Sequence, residues 1–114
     1  MDYARQRVAL EADMIYVVRT GRSIFGKGKE FVAWAVRVRD YWTKHFPEVK
    51  QMEVCRPASG ERGSVTWFLK FESLAAWERT DSKANEDAGY QKLVDERLAF
   101  MEGPVTDTYY NIRP

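Results

Sequence analysis

The apolar positions of this chain fall into two periods, and their alternation predicts the fold. Residues 14–20 (MIYVVRT) alternate with period two: Met14, Tyr16 and Val18 share one face, Ile15, Val17 and Arg19 the other. β-branched and aromatic residues favour such an extended segment. From about Lys29 to His45 the period becomes helical. Phe31, Trp34, Ala35, Val38, Trp42 and His45 form one broad stripe, with Arg37, Arg39, Asp40 and Lys44 on the outer side. Pro47 ends that helix, because it lacks an N–H and disfavours helix in the residue before it. Two strands follow, at 49–56 and 64–71, separated by the polar turn sequence PASGERG. In the second, Val65, Trp67, Leu69 and Phe71 make a wholly apolar face, while Ser64, Thr66, Phe68 and Lys70 make a mixed one.

Ser73 is placed to cap a short helix, LAAWERT, that buries Leu74 and Trp77. A further helix is expected over 85–102, with Tyr90, Leu93, Val94, Leu98 and Met101 as its stripe and Gly103 and Pro104 as its stop. The last strand is expected over 105–112. Residues 1–12 have little to bury and are expected to be peripheral to a single α+β domain over 13–114. The order strand, helix, strand, strand, helix, strand is that of a ferredoxin-like βαββαβ domain. It implies a four-stranded antiparallel sheet with helices on one face. The bare face is half apolar, so two chains are expected to close it sheet to sheet as a homodimer.

Three parts of the sequence resemble the dimeric α+β barrel superfamily. They are the order of elements, the stretch FESLAAWERTDSKANEDAGYQKL and the closing VTDTYYNIRP. The segment SLAAWE after the third strand is similar to segments of antibiotic-biosynthesis-monooxygenase-like and NIPSNAP-like members. The resemblance covers about residues 13–112. It implies a sheet-to-sheet dimer, and activities that range from cofactor-independent oxygenation and isomerisation to none. The haem-degrading branch rests on a histidine in the second half of the chain, and this sequence has none there.

Composition narrows the chemistry. The chain has 114 residues, 18 basic and 17 acidic, for a formal charge of +1, which gives no footprint for nucleic acid or an anionic membrane surface. No apolar run approaches the roughly 20 residues of a membrane span. One cysteine, Cys55, excludes an internal disulfide framework and fits a reducing, cytoplasmic setting. With a single histidine as well, no metal-ligand spacing exists, and neither metal nor cofactor is expected.

The stretch GRSIFGKGK at 21–29 looks like a phosphate-binding loop but fails as one. Gly28 stands where the motif needs a magnesium-binding Ser or Thr, and the hairpin argues against a parallel sheet. It reads instead as a strand-to-helix crossover, with Ile24 and Phe25 folded onto the core or a second subunit.

His45 is the residue suited to proton transfer near neutral pH, although a histidine at a helix C-terminus more commonly serves the helix dipole. Arg19, on an apolar strand face, must pair, reach a pocket or emerge into water. These two are the candidate catalytic residues. The four Trp and six Tyr supply the candidate ligand-binding set: Tyr16, Trp34, Trp42, Trp67 and Tyr109, lining a helix–sheet cleft for a flat apolar or phenolic molecule. Core packing is the commoner role for a stripe at helical spacing.

Overall fold

The computed structural model describes residues 14–57 and 63–111. Strand β1 (Ile15–Ser23) is one of the two inner strands of the sheet. It pairs antiparallel with β3 (Ser64–Phe71) on one side and β4 (Met101–Asn111) on the other. Strand β2 (Gln51–Cys55) pairs with the far edge of β3, giving the order β2-β3-β1-β4. The α+β, ferredoxin-like architecture expected from the sequence is the one observed, with helices on one face of an antiparallel sheet. Helix-facing residues are the apolar set of each strand: Ile15 and Val17, Met52, and Val65, Trp67, Leu69 and Phe71 are all buried.

Helix α1 (Gly28–His45) lies across β2 and β3 and buries Phe31, Trp34, Ala35, Val38 and Trp42. Each large apolar side chain removed from water in this way contributes about 1.5–3 kcal/mol. The helix closes with Phe46 N–H donating to the Trp42 carbonyl at 2.9 Å, just before Pro47. His45 lies at the rim of the stripe and is exposed.

The second half of the chain differs from expectation in three places. The short helix is longer: α2 runs over Leu74–Glu86, with the Ser73 hydroxyl accepting from Ala76 N–H at 3.1 Å as expected. The long helix is broken. Asp87 ends α2 and caps α3 (Ala88–Glu96), its carboxylate accepting from Tyr90 N–H at 2.8 Å.

A single 3₁₀ turn, Arg97–Ala99, then leads straight into β4 at Met101, four residues before the expected start. Gly103 and Pro104 thus lie inside a strand. The reason is tertiary: Phe100 is buried against Phe31 and Trp34, and its carbonyl accepts from Ile24 N–H, so the backbone is already extended there. Gly103 takes φ +70°, a left-handed value that favours glycine, where the β1–β4 register shifts between Thr20 and Arg22.

β1 also extends through Gly21 to Ser23. A Cβ at Gly21 would stand 2.9 Å from Phe31 Cζ and 3.2 Å from Met101 Sδ, so glycine lets α1 and β4 approach. Phe25, expected to fold onto the core or meet a second subunit, does not reach the core of its own chain and is fully exposed there at the loop tip; Ile24 is half-buried. The expectation for residues 1–12 lies outside the described residues. Among the described residues no helix is long and apolar enough to cross a membrane.

Candidate functional site

Between the helix layer and the sheet lies a cavity of about 420 Å³. That is within the range of small-molecule pockets, roughly 300–1,000 Å³. Helix α1 supplies Trp34, Val38 and Trp42 to its wall, and β3 supplies Trp67 and Leu69. The polar lining comes from the second half of the chain: Asp81 and Asn85 on α2, Tyr90 and Gln91 on α3, and Arg97 on the 3₁₀ turn. Arg19 on β1 completes it.

The aromatic walls are held by a ring network. Trp34 meets Trp67 edge-on at 5.7 Å between centroids, and Trp42 meets Tyr90 edge-on at 5.5 Å. Such arrangements align ring edges with π faces. The indole N–H groups separate the four tryptophans. Trp34 Nε1 donates to the Leu93 carbonyl at 2.7 Å, and Trp67 Nε1 to the Ala35 carbonyl at 3.0 Å. Trp77 Nε1 donates to the Tyr109 hydroxyl at 3.3 Å. Trp42 Nε1 is buried without a hydrogen-bond partner, the one such side-chain atom among the described residues. Buried N–H groups are normally paired, so this one calls for an explanation.

Arg19 is held as a strut. Its Nε and a terminal nitrogen donate to the two oxygens of Asp107, directly across β4, at 2.7 and 2.9 Å. Asp81 lies 3.7 Å away, and the guanidinium stands 5.3 Å from the centre of the Trp77 ring. Burial alone would lower its pKa; the Asp107 hydrogen bonds and charge outweigh that and hold it above the ordinary arginine range. Tyr90 is buried beside it. Burial pushes the Tyr90 hydroxyl above the usual tyrosine range, and the Asp81 charge adds to this. Arg19, the Trp42 N–H and Arg97 pull the other way. The Trp42 N–H therefore acts on the Tyr90 hydroxyl without closing a hydrogen bond of normal geometry.

Of the seven residues marked by the sequence, the cavity brings together four: Arg19, Trp34, Trp42 and Trp67. The other three lie elsewhere. Tyr16 faces away from the helices, under Lys70, whose Nζ stands 5.8 Å from the ring centre. Tyr109 lies beyond Trp77, in a separate groove with Ile15 and Leu74. His45 stacks on Tyr41 at 4.1 Å on the outer surface, in a groove formed by α1 and α3. Arg19 and His45 thus line different sites: His45 faces the outer groove while the sheet turns Arg19 in.

By sequence, Tyr90 takes a place in a helical packing stripe and Asp81 is assigned no role. A tyrosine set among Leu93 and Val94 was the available signal, since a buried ring brings a polar tip that needs a partner.

No protein-family model matches the chain, and no curated protein does. Solved structures do match in fold. SnoaB, a cofactor-independent oxygenase from Streptomyces nogalater, superposes with a TM-score of 0.69 at 14% identity, over 90% of this chain and 96% of that one. A putative antibiotic biosynthesis monooxygenase from Nitrosomonas europaea gives 0.70 at 12% identity, over 88% and 90%. An uncharacterised NIPSNAP domain protein from Burkholderia xenovorans gives 0.68 at 15% identity, over 84% and 91%. The chain therefore shares the fold of monooxygenase-like and NIPSNAP-like proteins, the two groups its sequence resembles.

Proposed function

We propose that this protein binds a flat aromatic or phenolic molecule in the helix–sheet cavity and oxygenates it without a cofactor. The observation that carries the reading is the cavity itself: about 420 Å³, walled by Trp34, Trp42 and Trp67, with a few polar groups at its far side. Rings stack on such walls, while sparse polar groups set orientation. Two chains pair through the bare sheet face, where Phe68 and Tyr110 remain exposed.

Cofactor-free oxygenation needs a substrate carbanion. A ring-activated CH₂ gives a proton to a base and the carbanion adds O₂ as a peroxide. Loss of the second C–H proton then expels water and leaves a ketone. Asp81 is the base within the cavity; His45, outside it, has no part. Arg19, neutralised by Asp107, holds the wall in place.

Oxygen uptake and ketone formation with a panel of 2-indanones and 1-naphthols, the latter reacting through the ring carbon that is CH₂ in the keto form, in buffer containing a chelator, test the reading. Saturable uptake that falls on the order of 100-fold in Asp81→Asn is expected. Absence of both uptake and binding would leave a second reading, a non-catalytic dimeric module. The exposed Phe68 and Tyr110 on the bare sheet favour that alternative.

A further inference from the structure

A second groove, of about 540 Å³, lies between α2 and the ends of β1 and β4. Ile15, Leu74, Trp77 and Tyr109 make its apolar part, and Glu78 and Asp81 its acidic part. The sequence pattern buries Leu74 beside Trp77, yet Leu74 is 50% exposed while Trp77 is 3% exposed. Tyr109 is also 50% exposed, its hydroxyl accepting from Trp77 Nε1. Single exposed apolar side chains are ordinary, but here two of them, from different elements, line one concave surface. None of the described residues that line it is basic. Asp81 stands 3.7 Å from Arg19, and Glu78 has no ion-pair partner among the described residues. The groove therefore suits an occupant that is both apolar and basic.

The chain carries such a stretch at the groove's own end. Residues 1–13 join the described chain at Met14, next to Ile15. Within them YARQRVAL, residues 3–10, holds Tyr3, Val8 and Leu10 together with Arg5 and Arg7, and has no acidic residue. Its order along the chain matches the groove. Ile15 pairs with Phe71, three residues before Leu74, so Leu74 lies at the Ile15 end. Asp81 lies about two helical turns farther along α2. A chain folding back from Met14 therefore meets Leu74 with Leu10 and Val8 first, then Glu78 and Asp81 with Arg7 and Arg5. Leu74 to Ser82 spans roughly 12 Å of helix, well within the roughly 40 Å that 13 extended residues can reach. The three residues after Asn111 reach only about 10 Å.

We propose that residues 3–10 dock in the groove between α2, β1 and β4 of their own chain, with Val8 and Leu10 on Leu74 and Tyr109, and Arg5 and Arg7 toward Glu78 and Asp81. Asp81 also lines the main cavity, so the docked stretch covers the groove side of a residue shared by both. The docking does not depend on what the cavity binds.

The test uses the full chain with a photoreactive benzophenone side chain in place of Leu74. A control carries it in place of Phe25, which is fully exposed beyond the other end of β1. Unlabelled and ¹⁵N-labelled chains are mixed through urea, so that any dimer holds both, and then illuminated. Peptide mass spectrometry reports which residues position 74 reaches, and the labels tell one chain from two. Crosslinks from position 74 to residues 3–10 of the same chain are expected, with several-fold fewer from position 25. Arg5→Glu with Arg7→Glu should cut the yield roughly threefold or more, and adding Glu78→Lys should restore it. Neither Leu74 nor Glu78 belongs to the buried core, so the variants keep the fold, which circular dichroism checks.

Crosslinks from position 74 that join only different chains overturn the proposal and assign the groove to a second copy. Crosslinks to residues 112–114 in place of 3–10 overturn it as well. So do equal or absent yields at positions 74 and 25, or a yield that ignores both charge changes.

Discussion

Arg19 and Asp107, 88 residues apart in the chain, face each other across β1 and β4 and form a two-point ion pair at 2.7 and 2.9 Å. The pair ties the edge strand to the inner strand at the cavity wall. Removing one partner leaves a largely buried charge, with Asp81 as a distant substitute. Asp107→Ala is expected to cost about 3 kcal/mol, the low end for breaking a buried pair from one side. Replacing both residues with apolar ones, Arg19→Met with Asp107→Leu, is expected to cost far less. Urea denaturation of the two variants decides it; equal losses would mean the charge itself is needed.

The Tyr41 hydroxyl donates to Asp87 at 2.5 Å, joining α1 to the cap of α3. That bond, then the Tyr90 N–H, holds the Asp87 carboxyl below its ordinary range; the same bond holds the Tyr41 hydroxyl above its own. Asp87 therefore contributes stability that is complete above about pH 4 and lost as pH falls through its folded value. Tyr41 contributes stability that is complete below about pH 10 and lost as pH rises through its folded value. Urea midpoints measured across pH should show a shallower acid limb in Asp87→Asn and a shallower alkaline limb in Tyr41→Phe. Limbs identical to wild type would refute the linkage.

Gly21→Ala places a methyl group against Phe31, which is wholly buried, and Met101. Overpacking of this kind costs about 1–3 kcal/mol. Gly26→Ala has open space around it but a left-handed backbone, φ +83°, and is expected to lose about 1 kcal/mol through strain alone. Thermal melts should show the Gly21 variant melting at the lower temperature. The reverse order would contradict the close approach.

Light scattering should give a mass near twice 13.3 kDa for the wild-type chain. Phe68→Lys sets a charge in the middle of the bare sheet, opposite Val18 and Glu53. It should return the protein to a monomer without lowering helix content, because Phe68 takes no part in the helix-side core. A wild-type monomer would end the sheet-to-sheet proposal.

Several site features were readable before folding. Arg19 stood among Ile15 and Val17 on an apolar face, and a charge there demands an answer. Asp107 shares a strand face with Val105 and Tyr109, and the register sets it directly opposite Arg19. The long final helix was misread because Leu98 and Met101 continue a helical stripe by spacing alone. Packing of Phe100 between Phe31 and Trp34 settled that segment as strand entry. His45 followed the stripe by spacing too, yet it is exposed and stacks on Tyr41 in the groove between α1 and α3.

The sequence by itself determined which side of each strand faces the helices and the order of the elements. Alternation at period two and recurrence near 3.6 are local properties that survive in any compact arrangement. Only the tertiary structure decided that Trp42, alone among the four tryptophans, lacks an acceptor of normal geometry, and that Tyr90 and Asp81 line the same cavity. Whether a buried N–H finds a carbonyl depends on how α1 and α3 settle against one another, to within a fraction of an ångström. No spacing along the chain encodes that distance, because it is fixed by the packing of all the side chains between them.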